Sequence, residues 1–304
     1  MGYYIGMDIG GTKCAAVLGN EEGRVLAKRR FDTAACDGPK AVLKKMASLA
    51  REMIVGGAAA EAGALCAVGI SCGGPLDART GVVLSPPNLP GWDEVHVTDF
   101  FSDAFGVPAY LQNDANACAL AEWRFGAARG CRNAVFLTFG TGMGAGLVLN
   151  GQLYDGTNGM AGEVGHLRLT PDGPVGYGVQ GSFEGWCSGG GLARLAALRL
   201  GRETDARRLA DDARAGDAGA LAVWQECGEH LGQGLALLVD ILNPECIVIG
   251  SIYARAEDLL RESMETALRA NALPQALAVC RIVPAALGEA IGDAAALAVA
   301  AQGR

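Results

Sequence analysis

No run of apolar residues in this sequence reaches membrane-spanning length without a polar residue or a glycine breaking it, which excludes a transmembrane helix. Positive charge is also scarce. Against 33 Asp and Glu stand 25 Lys and Arg, a net charge of −8, and the basic residues form no long stripe. Nucleic acid and anionic membranes bind through clustered positive charge, so neither is expected as a partner. The 10 cysteines include no Cys-x-x-Cys pair and sit singly among apolar neighbours, as at Cys66, Cys118, Cys246 and Cys280. They read as reduced thiols that fill cores rather than as a redox motif. The opening Met1-Gly2-Tyr3-Tyr4 shows neither a charged n-region nor a cleavable apolar segment, and the expected location is cytoplasmic.

What is present is apolar and rich in glycine. Hydrophobic residues make up 50% of 304, a length beyond the usual single core, so two domains are expected. Glycine, with 45 residues, is about twice its usual ~7% share and has no fixed period. It gathers in turns, where backbone can approach a ligand closely.

Residues 3–9 alternate as a strand, Gly10-Gly11-Thr12-Lys13 turns the chain, and 14–18 resume a strand; a tight turn at 19–23 leads to a third over 24–31. Such a turn offers backbone N–H groups, a hydroxyl and the Lys13 charge to a phosphate. A plain hairpin is the alternative, but Asp8 is a poor end to a buried strand unless it faces a cation. Helical spacing marks 39–53, ended by Gly56-Gly57. A buried strand over 64–71 runs into Cys72-Gly73-Gly74-Pro75, a place for Gly74 to meet a ligand. Proline stiffens the loop 84–92 around Asn88, which reads as a turn residue or a hydroxyl reader.

A strand over 107–111 and a helix over 117–125 place Asn113 and Asp114 at a strand-to-helix junction. Both are good helix caps, so a purely structural role for Asp114 is the alternative to a catalytic one. Residues 134–139, the turn Gly140-Thr141-Gly142-Met143-Gly144-Ala145-Gly146, a strand over 147–149 and the hairpin at Asn150-Gly151 then repeat the opening of the chain. That duplication predicts two similar domains across a cleft, each offering a Gly-rich turn to one ligand. Downstream, 220–242 reads as a long helix apolar nearly all round, and 246–249 as a strand ending at Gly250-Ser251.

Asp8-Ile9-Gly10-Gly11-Thr12-Lys13, Gly140-Thr141-Gly142-Met143-Gly144-Ala145-Gly146 and Glu163-Val164-Gly165-His166 occur in an order that resembles the ROK family of sugar kinases, repressors and open reading frames, over essentially the whole chain. The resemblance implies an α/β protein of the actin-like ATPase (ribonuclease H-like) fold. Residues 1–112 with about 290–304 would form a small domain and 113–289 a large one. It implies ATP with Mg²⁺, a hexose such as glucose phosphorylated at its 6-OH, and a homodimer. Asp114 is similar in place to the general base. Gly74, Asn88, Asn113, Glu163, His166 and Glu184 resemble the sugar-binding set. Gly10, Gly11, Thr12, Lys13, Thr141, Gly142 and Gly250 fall at the nucleotide positions, and Asp8 at a Mg²⁺ position reached through water.

Many relatives bind structural zinc through Cys-x-Cys-Gly-x-x-Gly-Cys-x-Glu and the His of Gly-His. Here the thiolate positions hold Val175, Tyr177 and Ser182, while Gly178, Gly181 and Glu184 remain. Zinc wants four N or S donors and His166 alone does not supply them, so no zinc is expected. An N-acetylhexosamine kinase (of N-acetylmannosamine or N-acetylglucosamine) and a non-catalytic sugar-binding regulator are the alternatives to a hexose kinase. A repressor would need a winged helix-turn-helix ahead of Asp8, which lies close to Met1, and no basic recognition helix is legible.

Overall fold

A computed structural model of the protein describes residues 2–60 and 62–303. Two compact units result: Met1–Arg129 with Gly156–Gly159 and Glu289–Arg304, and Gly130–Asp155 with Met160–Gly288. Met1, Glu61 and Arg304, within the range read for the small domain, lie outside the described residues.

In the first unit, β1 (Gly2–Ile9), β2 (Lys13–Asn20) and β3 (Val25–Asp32) form an antiparallel meander. β3 is the edge strand, and its Lys28, Arg29 and Arg30 discourage further pairing. α1 (Gly38–Val55) buries Val42, Leu43, Met46, Ala47, Ala50 and Met53, the stripe its sequence spacing predicts. β4 (Ala64–Cys72) returns parallel to β1. β5 (Leu76–Asp77), β6 (Val82–Val83) and β7 (Val95–His96) make a small sheet flanking the proline-stiffened loop. α2 (Val97–Phe105), β8 (Ala109–Asn113) and α3 (Asp114–Arg124) complete this part, and the main sheet runs β3-β2-β1-β4-β8. The helix read as 117–125 therefore starts three residues earlier, at Asp114, because Asn113 caps it by accepting the Asn116 amide at 2.8 Å.

The second unit repeats this plan. β9 (Ala134–Phe139), β10 (Met143–Leu149) and β11 (Gln152–Tyr154) form its meander. A ribbon of β12 (Val175–Gly176) and β13 (Val179–Gln180) leads into α4 (Phe183–Trp186). α5 (Gly189–Leu200), α6 (Ala206–Arg214) and α7 (Ala218–Leu242) follow, then β14 (Cys246–Ile249), α8 (Ile252–Asn271), α9 (Pro274–Leu277) and β15 (Arg281–Pro284). The sheet order β11-β10-β9-β14-β15 matches the first sheet strand for strand, so the duplication read in the sequence is a duplication of topology. α7 is less enclosed than its composition suggests: Trp224, Leu231 and Leu235 are fully buried, while Leu221, Leu237 and Ile241 are exposed.

α10 (Ile291–Ala300) belongs to the first unit and packs against α3 and the sheet. Strand side chains alternate between faces. Tyr3, Ile5, Ala16, Leu18 and Val68 face the α1 core, and Tyr4, Val17 and Ala67 meet Leu297, Ala300 and Ala301 on the other side. The shared packing of α3 and α10 is why the first unit runs on to Arg129, past the boundary read at residue 112.

Candidate active site

β1, β4 and β8 are parallel and end in register, with Ile9 opposite Cys72 and Cys72 opposite Asn113. The chain leaves all three at one sheet edge, the side on which open α/β sheets bind ligands. Asp8, the turn 10–13, Gly73-Gly74 and Asp114 are gathered there. The turn is braced from behind: Gly10 N–H donates to the Lys13 carbonyl at 3.1 Å, the Thr33 hydroxyl donates to the Gly10 carbonyl at 2.7 Å, and Thr33 N–H donates to the Thr12 carbonyl at 2.9 Å. Thr12 and Lys13 are left exposed. A Cβ at Gly11 would run into the Asn88 carbonyl oxygen, so glycine there lets the 84–92 loop lie directly on the turn. Buried Leu89 and Trp92 anchor that loop and leave Asn88 exposed beside Gly73.

Capping of α3 falls to Asn113, and the Asp114 carboxylate is held locally, accepting the Ala115 amide at 2.9 Å. Asp114 is open at its surface yet closely walled by protein. That desolvation raises its carboxyl above the ordinary value, against the pull of the Ala115 and Asp114 amides. Asp8 is pushed up to about 6, first by burial and then by Asp293, with Lys28 pulling the other way and Asp114 adding a smaller push. The Lys28 ammonium donates to Asp293 at 2.7 Å. Neither Lys28 nor Asp293 was read from the sequence as part of the site. The available signal was an acidic residue at the head of the Ala-rich run 294–301.

The second unit assembles its own set. Gly140 N–H donates to the Gly142 carbonyl at 3.1 Å, and the first turn of α5 packs on this bend, Gly189 N–H donating to the Gly140 carbonyl at 2.7 Å. Thr141 is exposed at its tip. Glu184 Oε2 accepts the Met143 amide at 3.0 Å, and a Cβ on Gly142 would come within 2.7 Å of the same oxygen. A short 3-10 turn, Val164–His166, follows Glu163; buried Val164 anchors it, with Glu163 and His166 exposed on either side. Gly250 ends β14, its N–H donating to the Leu137 carbonyl at 2.9 Å. The next residue, Ser251, holds φ 50° and accepts a bond from Arg255 at 3.1 Å, within reach of the Gly140 bend. The structure thus groups Thr141, Gly142 and Glu184 closely, with His166 near them through Gly165, which packs on the Met143 carbonyl.

Two metals are implied by the resemblance. For Mg²⁺ the chemistry fits: Asp8 is a hard oxygen donor whose pKa is raised by burial first and by the neighbouring Asp293 second, with Lys28 opposing, and a bound cation would favour its ionised form against both. Among the described residues no three His, Cys, Asp or Glu side chains are placed to hold an ion by themselves. For zinc the donors do not fit. Val175 lies in the ribbon, Tyr177 and Ser182 offer hydroxyls, and Cys187 is fully buried with its thiol donating to the Cys227 carbonyl at 3.5 Å.

A glucokinase of Thermotoga maritima is 33% identical to this chain over 305 residues, covering 95% of this chain and 94% of that one. The crystal structure of a ROK hexokinase from Thermus thermophilus aligns with a TM-score of 0.85 at 34% identity, covering 98% of this chain and 97% of that one. A ROK family glucokinase from Streptomyces griseus, solved in complex with glucose and AMPPNP, aligns with a TM-score of 0.75 at 30% identity, covering 99% and 100%. The fold is that of the actin-like ATPases, carried twice in the two sheets. The signature of the ROK family matches residues 4–302, and the chain belongs to that family.

Proposed function

We propose that this protein transfers a phosphoryl group from ATP to a hydroxyl of a hexose, the 6-OH of glucose or a close relative, with Asp114 as general base. The carrying observation is the seat of Asp114: a desolvated carboxylate at the carboxyl ends of three parallel strands, released from capping by Asn113 and beside a braced Gly-Thr turn. Phosphoryl transfer is mostly positioning and charge stabilisation, and the protein's share of the proton chemistry is one carboxylate on the acceptor hydroxyl. The Gly10-Gly11-Thr12-Lys13 turn supplies N–H groups, a hydroxyl and a positive charge to phosphate, and Thr141 with Gly142 supplies further N–H groups and a second hydroxyl. Bound Mg²⁺ neutralises phosphate charge, and Asp8 is the residue that would hold it through water. Gly74, Asn88, Asn113, Glu163, His166 and Glu184 read sugar hydroxyls, carboxylates accepting and amides donating. Gly250 allows one close approach of the nucleotide.

A coupled assay over hexoses and N-acetylhexosamines, with ATP and Mg²⁺, tests this reading. Turnover is expected with a hexose, glucose first. Preference for an N-acetylhexosamine would reassign the acceptor, and sugar binding without turnover across the panel would overturn the kinase reading in favour of a sugar-binding regulator.

A further inference from the structure

The segment that would carry zinc in relatives does not lose its order here. Each position that lacks a thiolate makes another contact. Val175 pairs with Gln180 in the ribbon. Ser182 is fully buried and works in two directions, its hydroxyl donating to the Gly176 carbonyl at 3.2 Å and accepting the Gly185 amide at 3.0 Å. It thereby ties the ribbon to α4, the helix that carries Glu184. Phe183 N–H donates to the Leu167 carbonyl at 2.7 Å, so α4 is also fastened to the chain just after His166. From below, the Trp186 indole N–H donates to the Thr170 hydroxyl at 2.9 Å, and its ring lies 3.7 Å from that of His230 on α7.

Tyr177 is the informative residue. It sits at the tip of the ribbon with φ 48°, a left-handed conformation that glycine or asparagine takes more readily, and the residue is 76% exposed. Neither burial nor backbone preference accounts for a tyrosine in that place. Its recorded ring contact is with His166, centroids 4.6 Å apart and planes tilted by 60°. The Tyr177 ring thus lies against the imidazole without any thiolate.

We propose that a metal-free clamp, the Tyr177 ring on His166 backed by the Ser182 hydroxyl bridge and the Trp186–His230 stack, positions His166 and Glu184 for the sugar, with Tyr177 as the positioning residue. The sugar part rests on the function proposed above; the clamp itself is a property of the ligand-free chain. Binding energy follows pre-organisation, so loosening one reader weakens the acceptor and leaves the nucleotide alone.

Four experiments test it. Glucose, or whichever hexose the panel selects, is titrated without nucleotide against wild type, Tyr177→Ala and Tyr177→Phe. Loss of one aromatic contact is expected to weaken binding about three- to tenfold in the alanine variant, with the phenylalanine variant within about twofold of wild type. In steady state the effect should fall on the hexose KM, with the ATP KM unchanged. Metal analysis and thermal unfolding of the ligand-free protein before and after dialysis against a chelator should show no stoichiometric zinc and one unchanged Tm. The His166 ring protons, followed by NMR, should lose a ring-current shift in Tyr177→Ala and keep it in Tyr177→Phe. Stoichiometric zinc, a chelator-lowered Tm, an unmoved His166 spectrum, or wild-type hexose affinity in Tyr177→Ala each overturns the clamp. Failure of wild type to bind any hexose would instead overturn the functional reading, and the metal and NMR results would still decide the clamp.

Discussion

At Asp114 the protein wall that desolvates the carboxylate also sets the acid side of the pH profile. A general base acts only when ionised, and this carboxyl is held above its ordinary 3.8. Turnover is therefore expected to fall, as pH drops, at a higher pH than an exposed aspartate would give. Asp114→Asn keeps the size and the acceptor for the Ala115 amide, so the fold and hexose binding should survive while kcat drops about 10²-fold or more. Near wild-type kcat in that variant would reduce Asp114 to a structural residue. Asp8 carries a different consequence. Its folded pKa, about 6, lies above the ordinary 3.8, so the folded state takes up the proton first and the ionised carboxylate opposes folding. That opposition is complete above pH 6 and fades between 6 and 3.8. Asp8→Asn should accordingly raise the Tm of the ligand-free protein at pH 7.5 while abolishing turnover, and the Tm gain should shrink as the pH is lowered through that window. An equal gain at every pH would show that charge is not its source.

Among elements, α10 shows what small residues accomplish. Gly69 in β4 faces the backbone of Ala296 and Ala300, and a Cβ at Gly6 in β1 would come within 2.9 Å of the Ala296 methyl. The Ala-rich helix lies almost on the sheet because the sheet has no side chains at those points. Gly69→Ala pushes a methyl into backbone that does not yield, and the expected cost is about 1–3 kcal/mol, read as a lower urea midpoint at unchanged slope. A neutral result would mean that α10 rides higher than described. Elements with local signatures were legible in the sequence: the meanders through alternation and tight turns, α1 through its stripe, both Gly-Thr turns through their composition. The two-residue strands flanking residues 84–92 are too short to show a period, whereas α2 does carry helical spacing, at Val97, Phe100, Phe101, Ala104 and Phe105, and is masked only by its nearness to the proline-rich loop. The start of α3 is not legible because Ala, Asn and Cys give little polar contrast along it. The Asp293–Lys28 pair is not legible because its partners lie 265 residues apart, and nothing local pairs an acid at the end of the chain with a base near its beginning.

For the whole molecule, chain connectivity matters more than either core alone. Each unit has its own buried cluster, yet the first is completed only by residues 289–304. Tyr4, Val17 and Ala67 are buried in concert with Leu297, Ala300 and Ala301. Without the last helix, that face of the sheet would be bare, and so would the side of α3 that packs on α10. Apolar area returned to water costs about 25 cal/mol per Å², and one face of a five-stranded sheet is enough to exceed the marginal stability of a domain. A chain ending at Gly288 keeps Asp114, both Gly-Thr turns and the entire second unit, so a purely local view of the site predicts an active protein. The packing predicts otherwise: the 1–288 chain should lose turnover and bind a hydrophobic dye, while circular dichroism still reports the second unit's helices and its unfolding transition. Supplying 289–304 as a separate peptide should restore part of the turnover, since the missing piece is a packed helix and not a reacting group. If the shortened chain instead unfolds in a single transition at the wild-type Tm, the last helix is an appendage and the discontinuous first unit is wrong.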